Sequence, residues 1–170
     1  MDLLTRTREY AIHCHESTNH HYDGDKPYAV HLQMVVDAAT QFLHLIPEAD
    51  RDEVIGGCWV HDCIEDCRQT YNDVKKATSE PIAELAYALT NEKGRNRKER
   101  ASDQYYEGIR NTKHAAFIKA CDRVANVTYS KQSGSRMFEL YKQENDNFVA
   151  KIHHSDYQPL FDHLSSLFDQ

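Results

Sequence analysis

Apolar side chains recur every three or four positions along most of this chain, with few residues to interrupt them. Only 6 glycines and 4 prolines occur among the 170 residues. This spacing places apolar residues on one face of an α-helix, and so few helix breakers favour long helices over many short strands. The clearest apolar stripe, between residues 27 and 46, is formed by Val30, Met34, Val35, Ala38, Phe42 and Leu45. We therefore predict an all-α protein.

Turn residues and capping residues divide this pattern into about eight to ten helices. The main predicted helices span residues 3–16, 27–46, 51–66, 80–92, 98–110, 113–129, 136–153 and 157–168. Asp50, Thr70 and Ser79 carry oxygen atoms suited to capping the helices that follow them, and Pro27 is well placed to open a helix. No strand, repeat or linker is evident in the sequence, and the length predicts a single domain over residues 1–170.

The overall charge limits the partners that the chain is expected to have. With 20 Lys and Arg against 27 Asp and Glu, the formal net charge is −7, which repels nucleic acid and anionic membranes. No apolar run is long enough to span a membrane, and the first residues lack the apolar core of a signal peptide. We expect a cytoplasmic protein that binds a small molecule and neither nucleic acid nor membrane.

The five cysteines are Cys14, Cys58, Cys63, Cys67 and Cys121. An odd number without a secretion signal favours reduced thiols over a disulfide framework. Cys63 and Cys67 are four residues apart, as two zinc ligands on one helix can be. However, no second Cys or Cys/His pair with finger-like spacing accompanies them. We therefore predict buried, reduced cysteines.

The most informative segment for chemistry ends the predicted helix 51–66. On that helix His61 and Glu65 are four residues apart, and Asp62 and Asp66 are as well, so titratable groups crowd one helix end. Such crowding is repulsive unless a cation or a proton compensates for it.

Two further polar residues occur in apolar surroundings. His31 lies within the stripe of the second predicted helix, and Asp122 shares a helix face with Asn126, four residues further on. Taken alone, a histidine such as His31 is typical of a satisfied core residue. An aspartate such as Asp122 is typical of a cap or an ion-pair partner.

Taken together, the order His … His-Asp … Asp on three separate helices resembles the HD superfamily of metal-dependent phosphohydrolases. The resemblance implies an HD-type helical bundle and a metal site formed by His31, His61, Asp62 and Asp122. Two imidazoles and two carboxylates suit Mn²⁺, Fe²⁺ or Zn²⁺ better than Ca²⁺. Such an ion can bind water and a phosphoryl oxygen together, which lowers the pKa of the water and neutralises charge developing on phosphorus.

Sequence blocks over residues 8–152 narrow the resemblance to the RelA/SpoT hydrolase domain. Residues 26–31 (Lys-Pro-Tyr-Ala-Val-His) resemble its P-Y-x-x-H segment, and residues 61–66 resemble its H-D-x-x-E-D signature. Residues 88–93 resemble its V-T-x-x-K segment, and residues 119–126 its K-L-A-D-R-x-x-N segment. With no synthetase or regulatory domain attached, the chain is similar to stand-alone small alarmone hydrolases.

The closer resemblance implies Mn²⁺-dependent removal of the 3′-pyrophosphate from guanosine tetra- or pentaphosphate, with Fe²⁺ or Zn²⁺ as alternative ions. By the same resemblance, Glu65 and Asp66 position and deprotonate the attacking water, and Asn126 contacts the nucleotide. A carboxylate within hydrogen-bond reach of that water is suited to the proton transfer. Spacing does not decide between the two carboxylates, and we favour Glu65 as the base.

Nucleotide recognition departs from the family pattern. The arginine of the family's R-x-x-G-x-P-Y segment is missing, and His20, His21 or Lys26 could replace it. The basic segment 93–100 could form a rim that attracts a polyphosphate. The candidate substrate-binding residues are Lys26, Lys93, Arg95, Asn126 and Tyr141.

Other functions stay open at this point. The missing arginine admits a related activity, such as removal of the 2′-phosphate of NADPH or hydrolysis of an adenine alarmone. A non-catalytic alternative is a metal-stabilised nucleotide-binding module or antitoxin, which would not need Glu65 and Asp66. The apolar residues of the last helix are expected to pack on the core and could contribute to a homodimer interface.

Overall fold

The computed structural model describes residues 1–91 and 93–169, and nearly all of their regular structure is helical. The α-helices in these ranges are α1 (Leu3–Ser17), α2 (Ala29–Gln41), α3 (Arg51–Val60), α4 (Cys63–Asp66), α5 (Tyr71–Ala77), α6 (Glu80–Ala88), α7 (Arg97–Arg100), α8 (Asp103–Asn111), α9 (Ala115–Ser133), α10 (Met137–Ile152) and α11 (Gln158–Ser166). Short 3₁₀ helices lie at Leu43–Leu45, Glu48–Asp50 and Ser155–Tyr157. Of the described α-helices, nine have seven residues or more, which confirms the prediction of an all-α chain with eight to ten helices.

One small β-hairpin departs from the prediction. β1 (His21–Tyr22) and β2 (Lys26–Pro27) pair antiparallel around a turn in which Gly24 has a φ of 86°, a conformation that glycine adopts without strain. The prediction that Pro27 opens a helix is wrong, because Pro27 belongs to β2 and α2 begins at Ala29. Strands of two residues are too short to show the alternating pattern that reveals a strand in sequence.

The predicted helix 51–66 is also wrong in one respect, since it is interrupted at His61 and Asp62. α3 ends at Val60, and α4 begins at Cys63. The imidazole Nδ1 of His61 lies 2.7 Å from the carbonyl oxygen of Cys58, a backbone acceptor near the end of α3. His61 and Asp62 therefore lie in a turn between the two helices.

Two of the three predicted caps act as expected. Thr70 and Asp73 form a reciprocal capping box at the start of α5, and Ser79 Oγ accepts the Ile82 N–H at the start of α6. Asp50 precedes α3 but makes no capping bond, because its carboxylate instead pairs with Lys113 Nζ and His114 Nε2, each at 2.8 Å.

Several helix boundaries differ from their predicted positions. The predicted helix 98–110 is two helices, α7 and α8, because Ser102 caps α8 at the Tyr105 N–H. α2 ends before residue 46, and α9 continues beyond residue 129 to Ser133. α6 ends at Ala88, and residue 92, the predicted end of that helix, lies outside the described residues.

The core is built around α9 and α3. α2 packs against both, α1 and α6 cover α3, and α10 and α11 cover α9. The largest side chains without solvent exposure include Phe117, Phe148 and Phe161. Gly57 permits the close approach of α3 to α6 and α9, since a Cβ at this position would lie 2.6 Å from Ile118 Cδ1 and 2.8 Å from Leu85 Cδ1. None of the helices in the described ranges is long and apolar enough to cross a membrane.

Candidate metal centre

Three packed segments bring four candidate ligand atoms together. His31 Nε2, from α2, lies 3.0 Å from Asp122 Oδ1 on α9 and 3.9 Å from Asp62 Oδ2. His61 Nε2 lies 2.9 Å from Asp62 Oδ2 and 3.4 Å from Asp122 Oδ1. Ligands at about 2.1 Å from one ion are separated by roughly 3 Å, so these side chains are already spaced as metal ligands.

The hydrogen bonding of His61 fits the requirements of an ion. His61 Nδ1 lies 2.7 Å from the Cys58 carbonyl oxygen and therefore carries the proton, which leaves a lone pair on His61 Nε2. That Nε2 is buried and faces the carboxylate oxygens of Asp62 and Asp122. A ligating histidine typically donates its other ring N–H in this way, so the described residues fit a divalent metal ion.

The charges at the cluster favour binding of a cation. Burial opposes a charge on His61, but the carboxylates of Asp62 and Asp122 outweigh it and raise the pKa of His61 well above its usual range. Burial likewise opposes the charge of Asp122, yet Lys119, His31 and His61 lower the pKa of its carboxyl group. A proton on His61 thus occupies the electrostatic position of a metal ion, and binding of the ion would release that proton.

A second layer of side chains holds the carboxylates. The Tyr28 hydroxyl donates to Asp62 Oδ2 at 2.5 Å, and Asn126 Nδ2 donates to Asp122 Oδ1 at 3.2 Å. Asn126 in turn accepts a hydrogen bond of 2.8 Å from the Tyr22 hydroxyl. Tyr22 also stacks on the His31 ring, with centroids 4.9 Å apart. The hairpin that carries Tyr22 therefore contributes directly to the order of the cluster.

Glu65 and Asp66 lie on α4, beside the cluster. Carboxylate oxygens of Asp62, Glu65 and Asp66 lie within 4.8 Å of one another. The Asn91 backbone N–H donates to Glu65 Oε1 at 2.7 Å. Loss of hydrating water and the charge of Asp62 raise the pKa of Glu65, and the same two causes, with Glu65 itself, raise the pKa of Asp66 to about 8.

The cluster opens into a cavity of about 840 Å³. Its lining includes His31 and the acidic residues Asp62, Glu65, Asp66, Asp103, Asp122 and Glu144. The basic residues of the described lining are Arg97, Lys98, Arg100, Lys119, Arg123 and Lys151. The volume is typical of small-molecule sites, and these basic side chains could contact an anionic ligand.

The structure separates the predicted substrate-binding residues into two groups. Asn126 lines the cavity, and the Tyr141 ring contacts two residues of its wall, with the guanidinium groups of Arg97 and Arg123 at 5.5 and 4.9 Å. The described cavity wall does not include Lys26, Lys93 or Arg95. Those three residues are held elsewhere or exposed: Lys26 pairs with Asp23 at 3.4 Å, Arg95 pairs with Glu99 at 2.8 Å, and Lys93 is exposed.

Arg97 and Arg123 are wall residues that the sequence analysis did not select. Glu144 holds both of them, through Oε1 to Arg97 Nε at 2.7 Å and through Oε2 to Arg123 Nη1 at 2.9 Å. Two signals were present in the sequence, since Arg97 belongs to the basic segment 93–100 and Arg123 follows the predicted ligand Asp122. Neither signal indicates which of several basic residues faces inward.

Comparisons with known proteins support the architecture. No family model matches the chain, and no curated protein matches it by sequence. Among solved structures, a metazoan ortholog of SpoT that hydrolyses ppGpp and plays a role in starvation responses superposes with a TM-score of 0.73. The match has 18% sequence identity and covers 96% of this chain and 94% of the other chain.

The chain is all-α, shares the fold of this ppGpp hydrolase, and resembles the HD hydrolase fold. This confirms the fold that the sequence blocks imply. Within the HD fold the cluster of His31, His61, Asp62 and Asp122 can hold a metal ion. The two sequences share only 18% identity, so the activity of the neighbour bears on this chain by analogy.

Proposed function

We propose that this chain is a metal-dependent phosphohydrolase that removes the 3′-pyrophosphate from guanosine 3′,5′-bis(diphosphate). The observation that carries the proposal is the convergence of two imidazole nitrogens and two carboxylate oxygens at 2.9–3.9 Å, in a cavity that several basic residues also line. A cluster that served only to stabilise the fold would need neither the cavity nor the two further carboxylates on α4.

His31, His61, Asp62 and Asp122 would hold the ion, for which we propose Mn²⁺, with Fe²⁺ or Zn²⁺ as alternatives. The ion supplies Lewis-acid activation of water and neutralisation of phosphoryl charge. Tyr28 orients Asp62 through its hydroxyl. Asn126 orients Asp122 through its amide.

Proton transfer is assigned to the carboxylates on α4. Glu65 would accept the proton of the attacking water. The Asn91 N–H holds Glu65 Oε1, and Oε2 would be the oxygen that takes the proton. Asp66, one residue further along α4, would position the same water. This assignment rests on the position of the groups beside the cluster.

The substrate assignment rests on charge, size and analogy. A nucleotide with two pyrophosphate groups is strongly anionic, and Arg97 and Arg123 would contact those groups through the guanidinium N–H groups that Glu144 does not engage. The cavity of about 840 Å³ has room for a ligand of this size. The metazoan neighbour with the same fold hydrolyses ppGpp, which supports this substrate by analogy.

A panel of nucleotides tests the proposal. The protein, stripped with chelator and supplied with Mn²⁺, is incubated separately with guanosine tetraphosphate, NADPH and an adenine alarmone. Release of pyrophosphate from guanosine tetraphosphate is expected. Turnover of NADPH or of the adenine alarmone alone would refute guanosine tetraphosphate as the substrate but would still support a metal-dependent phosphohydrolase. Absence of turnover with every member would contradict the enzymatic function and favour a nucleotide-binding module or antitoxin.

Variants test the residue roles. Glu65→Gln is expected to lower kcat by about 10²–10⁴-fold, because it removes the proton acceptor, while Mn²⁺ binding persists. Glu9→Gln, the same change at an exposed position of α1, is the matched control and should leave kcat unchanged. Full turnover in Glu65→Gln would contradict its role as base. Retained Mn²⁺ binding in His61→Ala would contradict the ligand assignment.

A further inference from the structure

A second cluster of metal-ligating side chains lies apart from the HD residues. It consists of His15 near the end of α1, His20 just before the hairpin, and Cys67, which follows α4. One potential ligand atom from each residue lies within 4.8 Å of the other two. His15 and Cys67 are each 1% exposed and His20 is partly buried, so two of the three residues are enclosed.

The hydrogen bonding of the two histidines is incomplete without a further partner. His15 Nδ1 and His20 Nδ1 face each other at 2.8 Å, and only one of the two nitrogens can donate in that contact. His15 Nε2 is buried and has no partner among the described residues. An ion bound through both Nδ1 atoms would replace their shared hydrogen bond, while His15 Nε2 would carry the proton of the ring.

Cysteine binds metal ions as the thiolate, and histidine binds them as the neutral imidazole. Binding of an ion by this cluster would therefore release any proton that the ligating atoms carry.

We propose that His15, His20 and Cys67 form a second metal site, which binds Zn²⁺. Two imidazoles and a thiolate are a softer donor set than the two imidazoles and two carboxylates of the HD site, and they match the preferences of Zn²⁺. Zn²⁺ has no redox chemistry, so it can coexist with the free thiols of Cys14 and Cys63 beside the cluster. This second site does not depend on the proposed function.

The three ligands come from segments that are separate in the chain. In a tetrahedral site with Zn–N bonds of about 2.05 Å the two nitrogens lie roughly 3.4 Å apart. The His15–His20 pair, now at 2.8 Å, would therefore open slightly around the ion. The fourth position is left to water or to an added ligand. In the sequence only the Cys63–Cys67 spacing suggests a metal site, because His15 and His20 come close to Cys67 only in the folded chain.

An ion at this site would fix Tyr28. The Tyr28 ring stacks on both histidines, with centroids 4.2 Å from His15 and 4.2 Å from His20, and its hydroxyl bonds to Asp62. The same contacts turn His20 toward His15, and His20 is not part of the described cavity wall. His20 therefore does not replace the arginine that the family uses beside the nucleotide.

Cobalt spectroscopy distinguishes the two sites. The purified full chain is stripped with chelator under reducing conditions and titrated with Co²⁺. Only the proposed second site has a sulfur ligand, so a thiolate-to-cobalt charge-transfer band in the near ultraviolet reports on that site alone. We expect the band to appear in the wild type and to disappear when Zn²⁺ is added, because Zn²⁺ binds more tightly than Co²⁺. No band in the wild type would overturn the proposal.

Four variants complete the test. Cys67→Ser and His20→Asn should each lose the band, and each should bind one Zn²⁺ fewer per chain than the wild type. Cys58→Ala, a change at another fully buried cysteine, is the matched control and should keep the band. His61→Ala, which removes an HD-site ligand, should also keep it. A band of unchanged intensity in Cys67→Ser would refute the assignment.

Discussion

Replacement of Gly57 by alanine tests the packing that positions the candidate metal centre. Gly57 lies in α3, four residues before His61. The new Cβ would lie 2.6 Å from Ile118 Cδ1 and 2.8 Å from Leu85 Cδ1. Non-bonded carbon atoms are comfortable at about 3.5–4.0 Å. Ile118 is fully buried and Leu85 is 4% exposed, so neither side chain has free space to move into.

The two opposing effects of the substitution can be weighed. Overpacking of a close-packed core costs typically about 1–3 kcal/mol, and two simultaneous overlaps place this site near the upper limit. Alanine gains about 1 kcal/mol over glycine in a helix interior. The free energy of unfolding should therefore fall by about 2 kcal/mol. For a chain of this length that corresponds to a Tm about 4–8 °C lower.

Gly108 offers a control with the same chemical change and the opposite sign. Gly108 lies in α8, and a Cβ there would meet no atom within 4 Å. Gly108→Ala should therefore raise the free energy of unfolding by about 0.5–1 kcal/mol through helix propensity alone.

Denaturant unfolding of the wild type and both variants, with chelator present, measures these differences without a contribution from bound metal. A Gly57→Ala protein as stable as the wild type would show that α3 does not pack against α6 and α9 as described.

Three further predictions concern the cavity and the HD site. Tyr28→Phe removes the hydrogen bond to Asp62 and should weaken Mn²⁺ binding about 10–100-fold, measured by calorimetry; unchanged affinity would show that the hydroxyl does not orient the ligand. Arg97→Ala should raise the KM for guanosine tetraphosphate at least tenfold. A tenfold change corresponds to about 1.4 kcal/mol, which is in the range expected for a charge-assisted hydrogen bond. Arg95→Ala, at a side chain 90% exposed, should leave KM unchanged, and equal effects of the two changes would contradict the described cavity wall. Addition of Mn²⁺ at about 100 times its Kd to chelator-stripped protein should stabilise it by about 2.7 kcal/mol, a rise in Tm of about 5–11 °C; no rise would contradict a metal site in the folded state.

Local signals in the sequence predicted the helical class and two of its caps. Periodic apolar residues and scarce breakers indicate helices because each signal depends on neighbours within about four residues. For the same reason Thr70 and Ser79 were identified as caps, since the backbone N–H groups that donate to their side-chain oxygens lie three residues further along the chain. Asp50 satisfied the same local rule, yet Lys113 and His114, brought in from the start of α9, take its carboxylate.

The four candidate HD ligands could be chosen from the sequence because their types, order and flanking residues match a known pattern. The pattern did not contain the break between α3 and α4, which arises where His61 bonds to the Cys58 carbonyl and Asp62 turns toward the cluster. Nor did it contain the hairpin, whose Tyr22 reaches Asn126 on α9. Both features depend on contacts between segments that are distant in the chain.

Sequence by itself thus determined the helical class and the chemical types that could bind a metal, because periodicity and residue order are properties of the linear chain. Tertiary structure alone decided that Arg97 and Arg123, and not Lys93 and Arg95, belong to the cavity wall. It also decided that His15 and His20 meet Cys67. The sequence does not distinguish one basic residue or one thiol from another. Packing of whole helices against one another decides which of them are buried and which are exposed.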